Sequence, residues 1–237
     1  MSSKKPVQSD WSKLFCSASL GTLAVMLAPQ AHAACVTVND TTTCTGATTG
    51  DQRIDDDNQT FIVEAGATLE AVGPSTVRLN GEDNVFINRG TVSRTGNGNV
   101  VGMTSTSGSI TGTNEGTINY LGTDIGFRSG LNGQSTTGNI TFTNTATGVI
   151  DSNAGGMVAQ ISGASGTATL DNQGQITARS AASAGLAART GGGDAIVSNA
   201  GTLVFDAGTA TGGFGIQARS DTGNAQVDNS GTVTATS

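Results

Sequence analysis

A phrase of the form Asn-x-Gly-x-apolar returns along the chain: NRGTV at 88, NEGTI at 114, NQGQI at 172, NAGTL at 199 and NSGTV at 229, with a stretched version, NTATGVI, at 144. Its glycines, Gly90, Gly116, Gly148, Gly174, Gly201 and Gly231, lie 26, 32, 26, 27 and 30 residues apart. Self-similarity at a period of about 20–50 residues marks stacked units that bury a shared core. Two residues after each glycine stand Val92, Ile118, Ile150, Ile176, Leu203 and Val233. Two before each Asn stand Phe86, Gly112, Phe142, Leu170, Val197 and Val227, and four before it Asn84, Ile110, Ile140, Ala168, Ala195 and Ala225. A third phrase opens on Gly102, Gly126, Gly156, Gly185 and Gly215. It places Met103, Phe127, Met157, Leu186 and Ile216 next, and Ser105, Ser129, Ala159, Ala188 and Ala218 two further on.

Each phrase alternates apolar and polar over four to six residues, which is the strand period. Gly, Asn, Ser and Thr between the phrases supply turns. Pro74 is the only proline after residue 33, so strand ladders meet little interruption. With aromatics at 4%, the chain cannot fill one thick core, and with charged residues at only 12% it does not read as disordered. The fold expected is all-β: a single-stranded parallel β-helix solenoid of about six three-strand coils, each coil about 4.8 Å from the next. The apolar columns then become inward stacks of like residues.

On this reading the repeated phrase is turn chemistry and not a binding signature. Asn tolerates left-handed geometry and bonds nearby backbone, and Gly allows a sharp bend. Asn88, Asn114, Asn144, Asn172, Asn199 and Asn229 are expected to stack as an amide ladder. Two extra residues in NTATGVI predict a projecting bulge at Thr145 to Thr147. Tyr120, two after Ile118, falls in the inward register.

Residues 1–33 have the pattern of a signal peptide. Lys4, Lys5 and Lys13 precede a 15-residue apolar run from Leu14 to Ala28, and Ala31-His32-Ala33 fits a cleavage site between Ala33 and Ala34. The run is shorter than the about 20 residues of a membrane-spanning helix; an uncleaved anchor is the alternative. Removing this segment takes away all three lysines, the single His and one Asp, leaving 8 basic and 17 acidic side chains, net −9. An acidic, lysine-free surface argues against nucleic acid and anionic membranes as partners. Residues 34–83 are expected to form an N-terminal cap, and residues 84–237 the repeats. In an exported chain Cys35 and Cys44, with eight residues between them, most simply form a disulfide. Free thiols or a metal site are the alternatives, although two thiolates without His make a poor zinc site.

A signal peptide, a short Cys35–Cys44 loop and Asn-x-Gly-x-[Ile/Val/Leu] coils together resemble the start of autotransporter passengers from Gram-negative bacteria. The resemblance covers most of the chain. It implies a right-handed coil, display at the cell surface or outer membrane or release outside the cell, and adhesion or host interaction. It also implies a C-terminal outer-membrane β-barrel, which this sequence does not contain. The sequence stops at TVTATS in mid-coil, without the polar cap that solenoids need, and a truncated passenger is expected. The matching positions are structural, so the resemblance assigns no functional residue.

Little in the mature part reads as a catalyst. Without His, Ser–His–Asp and Cys–His arrangements are ruled out there. Asp171 and Asp228 share a register two coils apart, with Ser198 between them, and read as surface charge. Asp55-Asp56-Asp57 reads as an exposed loop, with calcium the weaker idea. GGGDAIV at 191 matches half of a calcium-binding nonapeptide and fits the coil register without metal. Arg189 and Arg219, with Gln160 one coil earlier, form an outward polar row: either a stripe for an acidic glycan or a solvated face paired to nearby Asp. The expectation is a non-enzymatic stalk or adhesin without cofactor or metal. Its partner would be a glycan or a host or other cell-surface protein, and flat polar faces also suit self-association. The alternative is a secreted β-helical enzyme acting on polysaccharide.

Overall fold

The structure, a computed structural model, describes residues 34–123, 128–179, 183–206 and 213–236. Among them are 24 strands and no helix. The strands form three sheets of nine, eight and seven members, called here faces 1, 2 and 3. The chain visits the faces in that order, turn after turn, and pairs in parallel with the turn before. The fold is therefore a three-faced parallel β-solenoid. The six sequence repeats are the turns whose face 1 strands begin at Asn84, Ile110, Ile140, Ala168, Ala195 and Ala225.

Turns also form within residues 34–83, the span that the sequence sets apart as a cap. Thr60–Val63 pairs in parallel with Asn84–Asn88, Thr68–Ala71 with Thr91–Arg94, and Ser75–Asn80 with Asn99–Ser105. Their corner lacks the repeated phrase, because Val63 takes the place of Asn and Ala67 that of Gly. Only β1 (Ala34–Val38) departs from the pattern. It folds back antiparallel on β2 (Thr41–Thr45), which places Cys35 opposite Cys44, and the two are joined in a disulfide.

Inward columns hold the core. Leu69, Val92, Ile118, Ile150, Ile176 and Leu203 stack on face 2, each at most 1% exposed. Opposite them on face 3 runs a column of glycines, and the fit is close. A Cβ on Gly130, Gly156 or Gly185 would lie 2.7, 2.6 or 2.7 Å from Ile150, Ile176 or Leu203. Phe142 similarly fills the space left by Gly112 and Gly133. Tyr120 is fully buried in the same core. Branched side chains on one wall packed over glycines on another keep this core thin, which is how so few aromatics suffice.

The third phrase has a different register from the one its glycines imply. Leu131 pairs with Met157 and with Val101, and Met157 with Leu186. Gly130 is therefore the structural match of Gly156, and Met103 pairs with Gly133. Gly126 and Phe127 lie outside the described residues. Shifts of two or four residues preserve which side chains face inward, so alternation alone cannot detect them.

The glycine after each Asn has a steric cause. None of the six glycines or six asparagines has positive φ, so left-handed geometry is not the reason for them. A Cβ on Gly174 would instead lie 2.3 Å from the carbonyl oxygens of both Gly148 and Thr145, and one on Gly201 2.1 Å from that of Gly174. Successive corners stack backbone on backbone. Gly174→Ala should therefore destabilise the protein by about 1–3 kcal/mol in chemical denaturation, as overpacking does. Gly215→Ala, whose Cβ would meet only Val233 at 3.6 Å, should stay within about 0.5 kcal/mol of the parent.

Candidate functional site

The six asparagines occupy the inner corner between faces 1 and 2. Asn88 donates through Nδ2 to Oδ1 of Asn114 at 2.7 Å. The same bond follows from Asn114 to Asn144 at 2.8 Å, Asn144 to Asn172 at 2.8 Å, Asn172 to Asn199 at 2.7 Å and Asn199 to Asn229 at 2.7 Å. The first five are fully buried. Their backbone carbonyls accept the corner amides of the next turn, as Asn88 does from Gly116. These five side chains are consumed by the fold and present nothing to a ligand. The stretched repeat closes in a tight turn, with the Gly148 amide donating to Thr145 O at 2.9 Å and the Thr147 hydroxyl to Glu115 O at 2.9 Å. Ala33 lies outside the described residues, and Ala34 opens β1.

Acidic groups concentrate at the opposite corner, between faces 3 and 1, and bond the backbone of the following turn. Asp83 accepts from the Ser109 amide at 2.7 Å and Asn139 from that of Thr167 at 2.8 Å. Asp194 accepts from the Asn224 amide at 2.8 Å, so the Asp of GGGDAIV acts as a staple between turns. Asp55 pairs with Arg53 at 2.7 Å, and Asp57 accepts from the Glu82 amide at 2.8 Å. Among the described residues no three of His, Cys, Asp and Glu converge as metal ligands. Asp171 bonds Gln173 at 2.6 Å, and Ser198 pairs between it and Asp228.

Glu82 is the most heavily bonded of these acids. It accepts from the Ser105 hydroxyl at 2.6 Å, from the amides of Thr106 and Ser107 at 3.0 and 2.9 Å, and from the Gly108 amide. The Ser105 hydroxyl, followed by the Gly108 amide, holds its pKa down to about 2, from an ordinary 4.5. A depressed carboxylate contributes stability that is complete above the unfolded pKa and is lost as pH falls through the folded one. The parent should therefore weaken between about pH 4.5 and pH 2, and Glu82→Gln should be less stable at neutral pH with a flatter acid limb. Thermal unfolding of both chains across that window is the check.

One feature escaped the sequence reading, and another was read only in part. Arg94 is fully buried, in register with Tyr120. Its Nε donates to Gly96 O at 3.0 Å and its Nη2 to Asn97 O, clasping the turn toward face 3. Its place two residues after Val92, the inward parity, is the signal that could have found it. The other feature is the outer surface of face 3. One outward row there is Arg78, Gly102, Asn132, Val158, Ala187 and Gln217, and beside it runs Asn80, Thr104, Gln134, Gln160, Arg189 and Arg219. Three depressions lie along this surface and share lining residues: Asn132 and Gln134 join two of them, Gln160 and Arg189 the next two.

The charges on this surface are unevenly matched. Arg219 pairs with Asp221 at 3.0 Å. Arg189, half-buried, donates to Gln217 Oε1 at 2.6 Å, and Arg78 to Asn80 Oδ1 at 3.2 Å. Neither has a carboxylate within 4.0 Å among the described residues. Burial first, and then the like charge of Arg219, push Arg189 below the ordinary guanidinium range. Of the two alternatives the sequence leaves open, pairing to Asp thus describes Arg219 but not Arg189.

Fold and surface together define the class, a parallel β-solenoid with buried amide stacking and one arginine- and amide-rich outer face. No protein family, curated protein or solved structure matches this chain.

Proposed function

We propose that the chain is the solenoid of an exported protein displayed on a Gram-negative cell, acting as a stalk and adhesive surface and not as a catalyst. The observation that supports it best is the use of polar groups. Corner amides and carboxylates are spent on holding turn to turn, while the outward strand positions carry Thr, Ser, Asn and Gln in long rows. Such faces offer many weak contacts. The basic, apolar and Ala-x-Ala segments of residues 1–33 supply the route out of the cytoplasm. Among the described residues no helix is long and apolar enough to cross a membrane.

Antibodies raised against the solenoid should label intact cells of the source bacterium, and protein recovered from them should begin at Ala34. Labelling only after permeabilisation, with Met1 retained, would overturn export and display. Release of reducing ends from a panel of plant and bacterial glycans by the purified chain would replace the stalk with an enzyme.

A further inference from the structure

We infer that the outer surface of face 3 is a binding groove for an acidic polysaccharide, running along the stack of turns with its anionic groups met by Arg78, Arg189 and Arg219. Charge segregation is the first support. The part of the chain after residue 33 carries net −9, yet four of its eight arginines, Arg78, Arg128, Arg189 and Arg219, line the three linked depressions. The one carboxylate lining them is Asp221, already paired to Arg219. Arg78 and Arg189 are held by amide oxygens alone, which fix a guanidinium in place without neutralising it. An oxyanion offers such a fork two parallel charge-assisted bonds.

Shape is the second support. Gly102 and Val158 keep one outward row low where the depressions lie, while Gln134, Gln160 and Arg189 stand along the next. The trough therefore follows the solenoid axis, with one set of polar groups per turn at a spacing of about 4.8 Å. A linear sugar polymer presents hydroxyls and anionic groups at a comparable repeat, and the carboxamides of Asn132, Gln134 and Gln160 can both donate to and accept from hydroxyls. Among the described residues no aromatic side chain lines the depressions. A single-stranded nucleic acid would lack its stacking platform, which favours polysaccharide as the polyanion.

The inference rests on the adhesive reading only for where the ligand is met. Binding in solution is independent of export, so the two fail separately. The test is calorimetric titration of the purified chain with polygalacturonate, heparin, a neutral galactan and single-stranded DNA at low and physiological salt. Polygalacturonate or heparin should bind saturably and weaken with salt, and binding of polygalacturonate shows that carboxylates suffice without sulfate. Arg189→Gln with Arg219→Gln should weaken binding at least about tenfold. Arg179→Gln, whose partner Asp151 lies on face 2, should leave it unchanged. If thermal unfolding shows the Arg189 change to be disruptive, Arg78→Gln with Arg219→Gln, both exposed, carries the same expectation. Equal binding of neutral galactan, tighter binding of DNA, no binding of either acidic glycan, or indifference to the arginine changes would overturn the assignment.

Discussion

Ile176→Asp should destabilise the protein by roughly 4–5 kcal/mol at neutral pH, the scale of an uncompensated buried charge. Ile176 is 1% exposed, stacked between Ile150 and Leu203 and pressed against the glycine wall at Gly156. No basic or hydroxyl group shares its column, and the backbone carbonyl of Gly185 beside Gly156 is an acceptor that cannot pair with a carboxylate. A carboxylate there must stay unpaired or take up a proton. Its folded pKa would rise, so the deficit should be largest at neutral pH and shrink in acid. Ile176→Val, which only trims a methyl group, should cost about 0.5–1.5 kcal/mol without that pH dependence. Stacked turns depend on their neighbours, so hydrogen exchange should report opening centred on the turns from Ile140 to Asp206. Equal unfolding curves for parent and Ile176→Asp would refute the inward column.

Asn172→Ala should cost about 2–4 kcal/mol, although it removes only one small side chain. The loss lies in what it leaves behind. Asn199 Oδ1 would lose its donor and Asn144 Nδ2 its amide partner, in a fully buried column where each orphaned group costs about 1–3 kcal/mol. Asn229→Ala removes the exposed last member of the row and strands only Asn199 Nδ2, so its effect should be under about 1 kcal/mol. Urea unfolding of the two variants gives the comparison. Similar small values for both would mean that water substitutes freely inside the corner.

The difference between those two asparagines was not visible in the sequence, whereas their alignment was. Identical residues at one phase of a repeat stack in a solenoid whatever the loop lengths, so Asn88 to Asn229 and Val92 to Val233 could be placed from spacing alone. Signals of even parity were weaker: the glycine of Gly126-Phe127 looked equivalent to that of Gly156-Met157, while the structure matches Gly130. The turn through Val63 and Ala67 was hidden because Val63 takes the place of the asparagine and the glycine, Gly66, stands one position before the matching one. The Gly174 column was found, but its cause needed the neighbouring turn, since carbonyl contact across 26 residues leaves no local trace. The face 3 groove depends on six successive turns contributing unlike residues. Only its Gln160, Arg189 and Arg219 members formed a row that a repeat alignment could detect.

The asparagine row also has a direction. In all five of its bonds the donor nitrogen points to the following turn and the acceptor oxygen to the preceding one. The amide dipoles therefore add head to tail, each polarising the next, and the corner becomes a one-way wire through the protein. This explains why the position calls for Asn and not the isosteric Asp. A carboxylate could receive from the turn before but has no hydrogen to pass on, so one such replacement would sever the relay on its C-terminal side alone. The wire starts at Asn88, whose oxygen is taken by the Gly90 amide above the apolar Val63. The two ends of the asparagine row are thus electrically unlike, although every bond between them is of the same kind.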